Sequence, residues 1–143
     1  MDMPRPDPGV LSRKARIVAR LRAVLGPEGV IDDPAETRAY ECDGLAAYRC
    51  APLAVVLPRT TAEVAAALKV CHEERVPVVP RGSGTSLAGG ALPTADSVVM
   101  GIGRMTSVLA VDYDNRLIRV EAGRTNLAVT GAVEADGVPR ANS

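Results

Sequence analysis

PVVPRGSGTSLAGGALP, residues 77–93, is the stretch whose reading decides the fold: an apolar run, then four glycines, two serines and a threonine, closed by a proline. Glycine keeps side chains off a backbone that something else must approach, and it allows conformations closed to other residues. The run in front, VPVVP, has the length and character of a short strand. Upstream, LAVVLP (53–58) is apolar almost without interruption, as expected of a strand covered on both faces. Between them RTTAEVAAALKVCHEERVP opens with a capping box, Thr60 as N-cap and Glu63 three positions later, and repeats apolar contacts at Val64, Leu68 and Cys71. That helix should stop by Arg75, because Pro77 disfavours helical geometry at Val76. Strand, helix and strand in about 30 residues make a βαβ unit, whose strands should be parallel with a right-handed crossover.

Beyond the glycine loop, SVVMGI (97–102) reads as a third strand. VLAVDYDNRLIRVEAG alternates Leu109, Val111 and Tyr113 with Ile118 and Val120 across a turn at Asp114-Asn115, a hairpin signature. RTNLAVTGAVEADG predicts a helix from Thr125 or Asn126 to a stop at Gly137, weakened by Gly131. At the other end, residues 1–9 read as a loose tail at which the mature chain begins. An amphipathic helix from Val10 to Leu25 follows, with Leu11, Val18, Leu21 and Leu25 on one face and Arg13, Lys14, Arg16, Arg20 and Arg22 on others. The basic residues predict a solvent-facing surface. A polar connection carries one short helix around Pro34 to Glu41.

Composition sets the bounds. The chain has 143 residues, 47% of them apolar, without Phe or Trp, so its core rests on Val, Leu, Ile and Ala. Seventeen basic and seventeen acidic residues leave no surplus positive charge for a polyanion, which argues against nucleic acid. Three cysteines, Cys42, Cys50 and Cys71, lack C-x-x-C spacing and indicate neither a zinc site nor a disulfide framework; reduced cytosol is the plain inference. His72, the single histidine, points away from Cys71 on a helix, which predicts a buried thiol beside a solvated imidazole rather than a metal site. No run reaches the roughly 18 apolar residues of a membrane span. The MDMPRPDPG start is too acidic and proline-rich for a targeting peptide.

Spacing rules out two familiar phosphate loops. Gly84 and Gly89 are separated as in a P-loop, but Gly90 stands where lysine is required. Gly82 and Gly84 begin a dinucleotide fingerprint, but Leu87 occupies its third glycine position and no helix opens after it. An anion still suits the loop: successive N–H groups in a glycine-rich turn form a concave nest for phosphate oxygens, with Ser83, Thr85 and Ser86 adding hydroxyls. The alternative from composition is an ordinary connection between strands.

The loop resembles the diphosphate loop of FAD-linked oxidases with the vanillyl-alcohol-oxidase, or PCMH-type, flavin domain. Within that superfamily it is most similar to the FAD subunit of glycolate oxidase and its D-lactate dehydrogenase relatives. YECDGLAAYRCAPLAVVLPRTTAEV resembles the family's Tyr-x-x-Asp segment, strand and capped helix, and MTSVLAVDYDNRLIRVEAGRTN resembles the following hairpin and glycine turn. The likeness runs from about residue 10 to 137 and implies an α+β fold. Its first subdomain, about 27–106, would be a βαβ unit with a small parallel sheet, and a second would begin near 107.

The resemblance further implies an FAD pyrophosphate wrapped by Arg81, Gly82, Ser83, Gly84, Thr85 and Ser86, with Gly89 and Gly90 closing the turn. Arg81 reads either as a flavin contact or as part of a structural ion pair. Met105 and Gly123 match positions lining the flavin cleft, or serve packing and a tight turn. Ser83, Ser86 and Ala88 depart from Ala, Gly and Ser of close relatives, small for small. Without a histidine in the loop, FAD is expected to bind non-covalently. The implied reaction is oxidation of a 2-hydroxy acid of the glycolate or D-lactate type by hydride transfer to flavin. The residues for that step are expected in a cap domain beyond Ser143, so the chain reads as an N-terminal part. Expected partners are the substrate and other oxidase subunits, including an iron–sulfur protein, at a cytoplasmic location peripheral to the inner membrane. A non-catalytic nucleotide-binding module completed by another chain is the alternative, and an inactive remnant a third.

Overall fold

The computed structural model describes residues 4–45 and 47–134. The chain divides into two units, residues 1–102 and 103–143.

Unit 1 is built on a four-stranded sheet of β1 (Val30–Ile31), β2 (Ala54–Val56), β3 (Val78–Arg81) and β4 (Val98–Gly101), in the order β1-β2-β4-β3. β2 and β3 share a parallel sheet, as the βαβ pattern predicts, but they are not neighbours: β4 lies between them and pairs in parallel with both. Position explains composition. The central β2 and β4 are buried along their whole length, with Ala54, Val56, Val98 and Met100 in the main apolar cluster. Val55 and Val99, partners in register, point to the opposite face and are also fully buried. β3 is an edge strand, which tolerates the missing donor of Pro80. The two-residue β1 pairs antiparallel with β2 and lies in what the sequence presents as a polar connection.

Helices α1 (Pro8–Leu11), α2 (Lys14–Leu25), α3 (Pro34–Thr37) and α4 (Thr61–Glu74) belong to the unit, with 3₁₀ turns at Pro27–Gly29 before β1 and at Arg38–Tyr40 after α3. The helix expected over 10–25 is broken at Ser12 and Arg13. Asp7 caps α1 through the Gly9 N–H, and Ser12 Oγ donates to the Gly9 carbonyl, closing the first turn on itself. The Asp7 N–H is in turn held by the Asp96 carboxylate at 2.9 Å. Ile17, Val18 and Leu21 of α2 join Ala67, Val70 and Cys71 of α4 in the core against the sheet. Leu68, expected in the apolar stripe of α4, is exposed instead; the buried stripe runs Ala67, Val70, Cys71, Glu74.

The basic surface of α2 faces solvent as expected at Arg16 and Arg22, which are exposed, but it also serves the buried Glu74 of α4. Its carboxylate, 2% exposed, accepts from Arg16 and, at 2.8 Å, from Arg20, while Arg13 donates to its backbone carbonyl at 3.0 Å. Arg20 also pairs with Glu73, and Arg22 with Asp32. A buried carboxylate needs charged partners, and cations are favoured at a helix C-terminus. The arginine hydrogen bonds, first from Arg16 and then from Arg20, hold the Glu74 carboxyl below its ordinary range.

α4 begins as the sequence predicts: Thr60 accepts from the Glu63 N–H, although Glu63 reaches back to the Arg59 N–H, one residue before the cap. It ends at Glu74, with Arg75 in a left-handed conformation that satisfies the last carbonyls. Cys71 is buried and His72 exposed, as their helical positions require. Burial pushes the Cys71 thiol up to about 11.

Unit 2 holds the antiparallel hairpin β5 (Val108–Asp112) and β6 (Leu117–Val120) and helix α5 (Asn126–Glu134). Asp112 accepts from both the backbone and the side chain of Asn115, which fixes the predicted turn. Arg116 completes it with φ 54°. The stop expected at Gly137 lies outside the described residues.

Candidate cofactor site

The glycine loop leaves the carboxyl end of β3, where ligands of open parallel sheets bind. Its far end is anchored before β4 by the Ser97 hydroxyl, which donates to the Thr94 carbonyl at 2.8 Å and accepts from the Thr94 N–H at 3.0 Å. Between these anchors the chain has no regular structure, and Gly82, Ser83, Thr85, Ser86 and Gly90 are exposed. Among the described residues, no hydrogen bond engages the N–H groups of Gly82 to Ser86; the nearest loop bonds are Ala88 N–H to Ser86 Oγ and Leu92 N–H to the Gly89 carbonyl. Ser83 and Thr85 bring their hydroxyls within 3.3 Å of each other. The result is a row of uncommitted backbone donors flanked by hydroxyls, the arrangement of an anion nest.

The glycines divide by what demands them. Gly84 is required by the protein itself: its φ is +72°, and a Cβ there would overlap the Arg81 guanidinium. Gly89 also has positive φ, +77°. At Gly82 and Gly90 the backbone is ordinary and no protein atom lies within 4 Å of an added Cβ. Nothing in the chain calls for glycine at those two positions, and the space above them is open to a ligand.

Arg81 is committed to the protein. It donates to the Cys42 carbonyl at 2.7 Å and to the Ala91 carbonyl at 3.4 Å, and its guanidinium carbon lies 5.7 Å from the centre of the Tyr40 ring. The partners are carbonyls and a ring rather than the carboxylate of an ion pair. One side chain thereby ties the end of β3 to the 40–45 segment and to the far end of the loop. In unit 2 the structure brings Met105 and Gly123 together, Gly123 donating its N–H to the Met105 carbonyl at 2.8 Å, with Met105 buried.

The sequence offers Tyr40 to Asp43 as a Tyr-x-x-Asp segment but gives Tyr40–Leu45 no place at the site. Asp43 Oδ1 accepts from the Leu45 N–H at 2.9 Å and turns the chain at Gly44. The signal was present as an Asp-Gly turn dipeptide, but nothing local says what the turn touches. Among the described residues there is no cluster of three or more His, Cys, Asp or Glu suited to a metal, and no helix long and apolar enough to cross a membrane.

A nest at the carboxyl end of a parallel strand defines a domain that takes a phosphate-bearing cofactor. The comparison with known families makes this specific: residues 52–140 match the FAD binding domain, and the chain belongs to that family, in its PCMH-type form. Glycolate oxidase subunit GlcD of Escherichia coli is 43% identical over 133 residues, covering 93% of this chain and 26% of that protein. GlcD of Bacillus subtilis is 40% identical over 83% of this chain and 25% of its own length. A probable mitochondrial D-2-hydroxyglutarate dehydrogenase of Oryza sativa subsp. indica is 32% identical over 84% of this chain and 22% of its own. Among solved structures, p-cresol methylhydroxylase with substrate bound superposes with a TM-score of 0.80 at 22% identity, over 94% of this chain and 26% of that one. Alkyldihydroxyacetonephosphate synthase follows at 0.76 and 22%, over 96% of this chain and 26% of that one. These two show the fold. The chain spans about a quarter of the length of the relatives it matches.

Proposed function

We propose that the chain is the first part of the flavin domain of an FAD-dependent oxidoreductase acting on a 2-hydroxy acid of the glycolate or D-lactate type. The observation that carries this reading is the open space over Gly82 and Gly90 beside the uncommitted N–H groups of Gly82 to Ser86. There the FAD diphosphate is held non-covalently by backbone donors, with Ser83, Thr85 and Ser86 adding hydroxyls and Gly89 and Gly90 closing the turn. Arg81 acts beneath the loop rather than on the ligand. Met105 and Gly123, joined through their backbones, contribute to the flavin cleft. Bound FAD supplies the two-electron acceptor for substrate oxidation.

Unit 2, in which the second subdomain begins, leaves Leu117 64% and Leu127 82% exposed. A lone hairpin and helix bury too little apolar surface for independent stability. We infer that further polypeptide covers this surface, completes the cofactor site and brings the substrate-binding residues. Partner oxidase subunits, for which the subunit name of the GlcD relatives speaks, belong to the same proposal, and with them the iron–sulfur protein and the cytoplasmic position peripheral to the inner membrane that the sequence resemblance implies.

The test is a titration of the purified chain with FAD, followed by quenching of flavin fluorescence, for the wild type and Gly82→Asp. Saturable quenching that Gly82→Asp abolishes without a change in thermal midpoint is expected. Quenching that is equal in both proteins refutes the cradle.

A further inference from the structure

The segment Tyr40–Leu45 lies outside the glycine loop and about 40 residues before it, yet the two are in backbone contact. A Cβ added at Gly44 would come within 2.7 Å of the Thr85 carbonyl oxygen and 2.9 Å of that of Ser86, distances that real Cβ atoms do not adopt. The obstacle is the loop's own backbone rather than the end of a flexible side chain, so an alanine at 44 must push the loop away. From the same segment the Tyr40 ring lies beneath the Arg81 guanidinium and the Cys42 carbonyl accepts from it. The guanidinium in turn fills the space under Gly84.

Asp43 shapes the turn from a buried position: it is 5% exposed, and its Oδ1 accepts from the Leu45 N–H at 2.9 Å, which sets the chain direction at Gly44.

We infer that Tyr40–Leu45 is a second wall of the diphosphate cradle, with Gly44 as a positioning residue that sets where the Thr85–Ser86 backbone stands and Arg81 as the strut between wall and loop. This rests on the loop being the FAD cradle. The wall touches no ligand; it fixes the directions of the nest N–H groups, and a shift of a few tenths of an ångström in Thr85 spoils their convergence on one anion.

The experiment compares wild type, Gly44→Ala and Gly103→Ala, a control at which an added Cβ meets nothing within 4 Å. Amide proton–nitrogen spectra of the ligand-free proteins are recorded first, then binding of FAD and of ADP. For Gly44→Ala the expected result is displaced resonances for residues 82–90, with those of β2 and β4 and the thermal midpoint unchanged, and about tenfold weaker binding of both ligands. Gly103→Ala should match the wild type throughout. Loop resonances that stay in place, or unchanged affinity, overturn the inference. If Gly44→Ala does not fold, Tyr40→Leu, which removes the ring under Arg81 and leaves the backbone intact, must displace the same loop resonances; their failure to move overturns it equally. A wild type that binds neither FAD nor ADP shows that the cradle needs the further polypeptide, and the loop resonances then decide by themselves whether Gly44 sets the loop's shape.

Discussion

Replacing Arg81 with alanine should destabilise unit 1 strongly, because the side chain is a strut within the protein. The charge-assisted hydrogen bond to the Cys42 carbonyl at 2.7 Å is the main loss, worth about 1.5–3 kcal/mol. The guanidinium over the Tyr40 ring adds roughly 0.5–1 kcal/mol at a partly exposed site. Together these give about 2–4 kcal/mol, and at about 2 kcal/mol per molar of urea the unfolding midpoint falls by roughly 1–2 M. Equilibrium urea unfolding followed by circular dichroism measures it, with Arg81→Lys as comparison. Lysine keeps the charge but loses the planar fork, so it should recover less than half of the loss. An Arg81→Ala midpoint within about 0.3 M of the wild type would refute the strut, and would return Arg81 to the role of a ligand contact.

Other expectations follow from the same geometry. Gly84→Ala should cost about 1–2 kcal/mol from its positive φ alone, more as Arg81 is displaced, whereas Gly82→Ala should stay within about 0.5 kcal/mol and lose FAD affinity instead; calorimetry and titration separate the two. Glu74 contributes stability above its ordinary value of 4.5, and that contribution is lost as pH falls through its lowered folded value. Glu74→Gln should therefore be less stable than wild type at neutral pH, with the two thermal-midpoint curves converging in acid; parallel curves would disprove the arginine cluster's role. At neutral pH a thiol reagent should reach the half-buried Cys42 and Cys50 in the native protein but Cys71, with its thiol raised to about 11, only as the chain unfolds. Three fast-reacting thiols would contradict that.

Much of the architecture is written locally. The near-continuous apolar run at 53–58 announces a strand covered on both faces, as β2 is, and SVVMGI at 97–102 announces a further strand, β4. Thr60 with Glu63 announces the start of α4, and alternation about Asp114-Asn115 announces the hairpin, because caps and turns are settled by neighbours a few residues apart. The loop's glycines and hydroxyls likewise point to an anion cradle from composition and spacing alone.

Tertiary structure decided what depends on distant partners. Placing β4 between β2 and β3, burying Glu74 among arginines 54 and 58 positions earlier, and exposing Leu68 leave no local mark. The same holds for Arg81, whose best acceptor lies 39 residues upstream. Its sequence neighbours are the loop, so it reads as a flavin contact or as half of an ion pair; folded, it stands under the loop and ties it to Tyr40–Leu45, a segment whose place at the site leaves no local mark. Backbone propensity acts over one turn of chain, whereas the pairing of charges and the approach of two loops depend on which surfaces the whole core brings together.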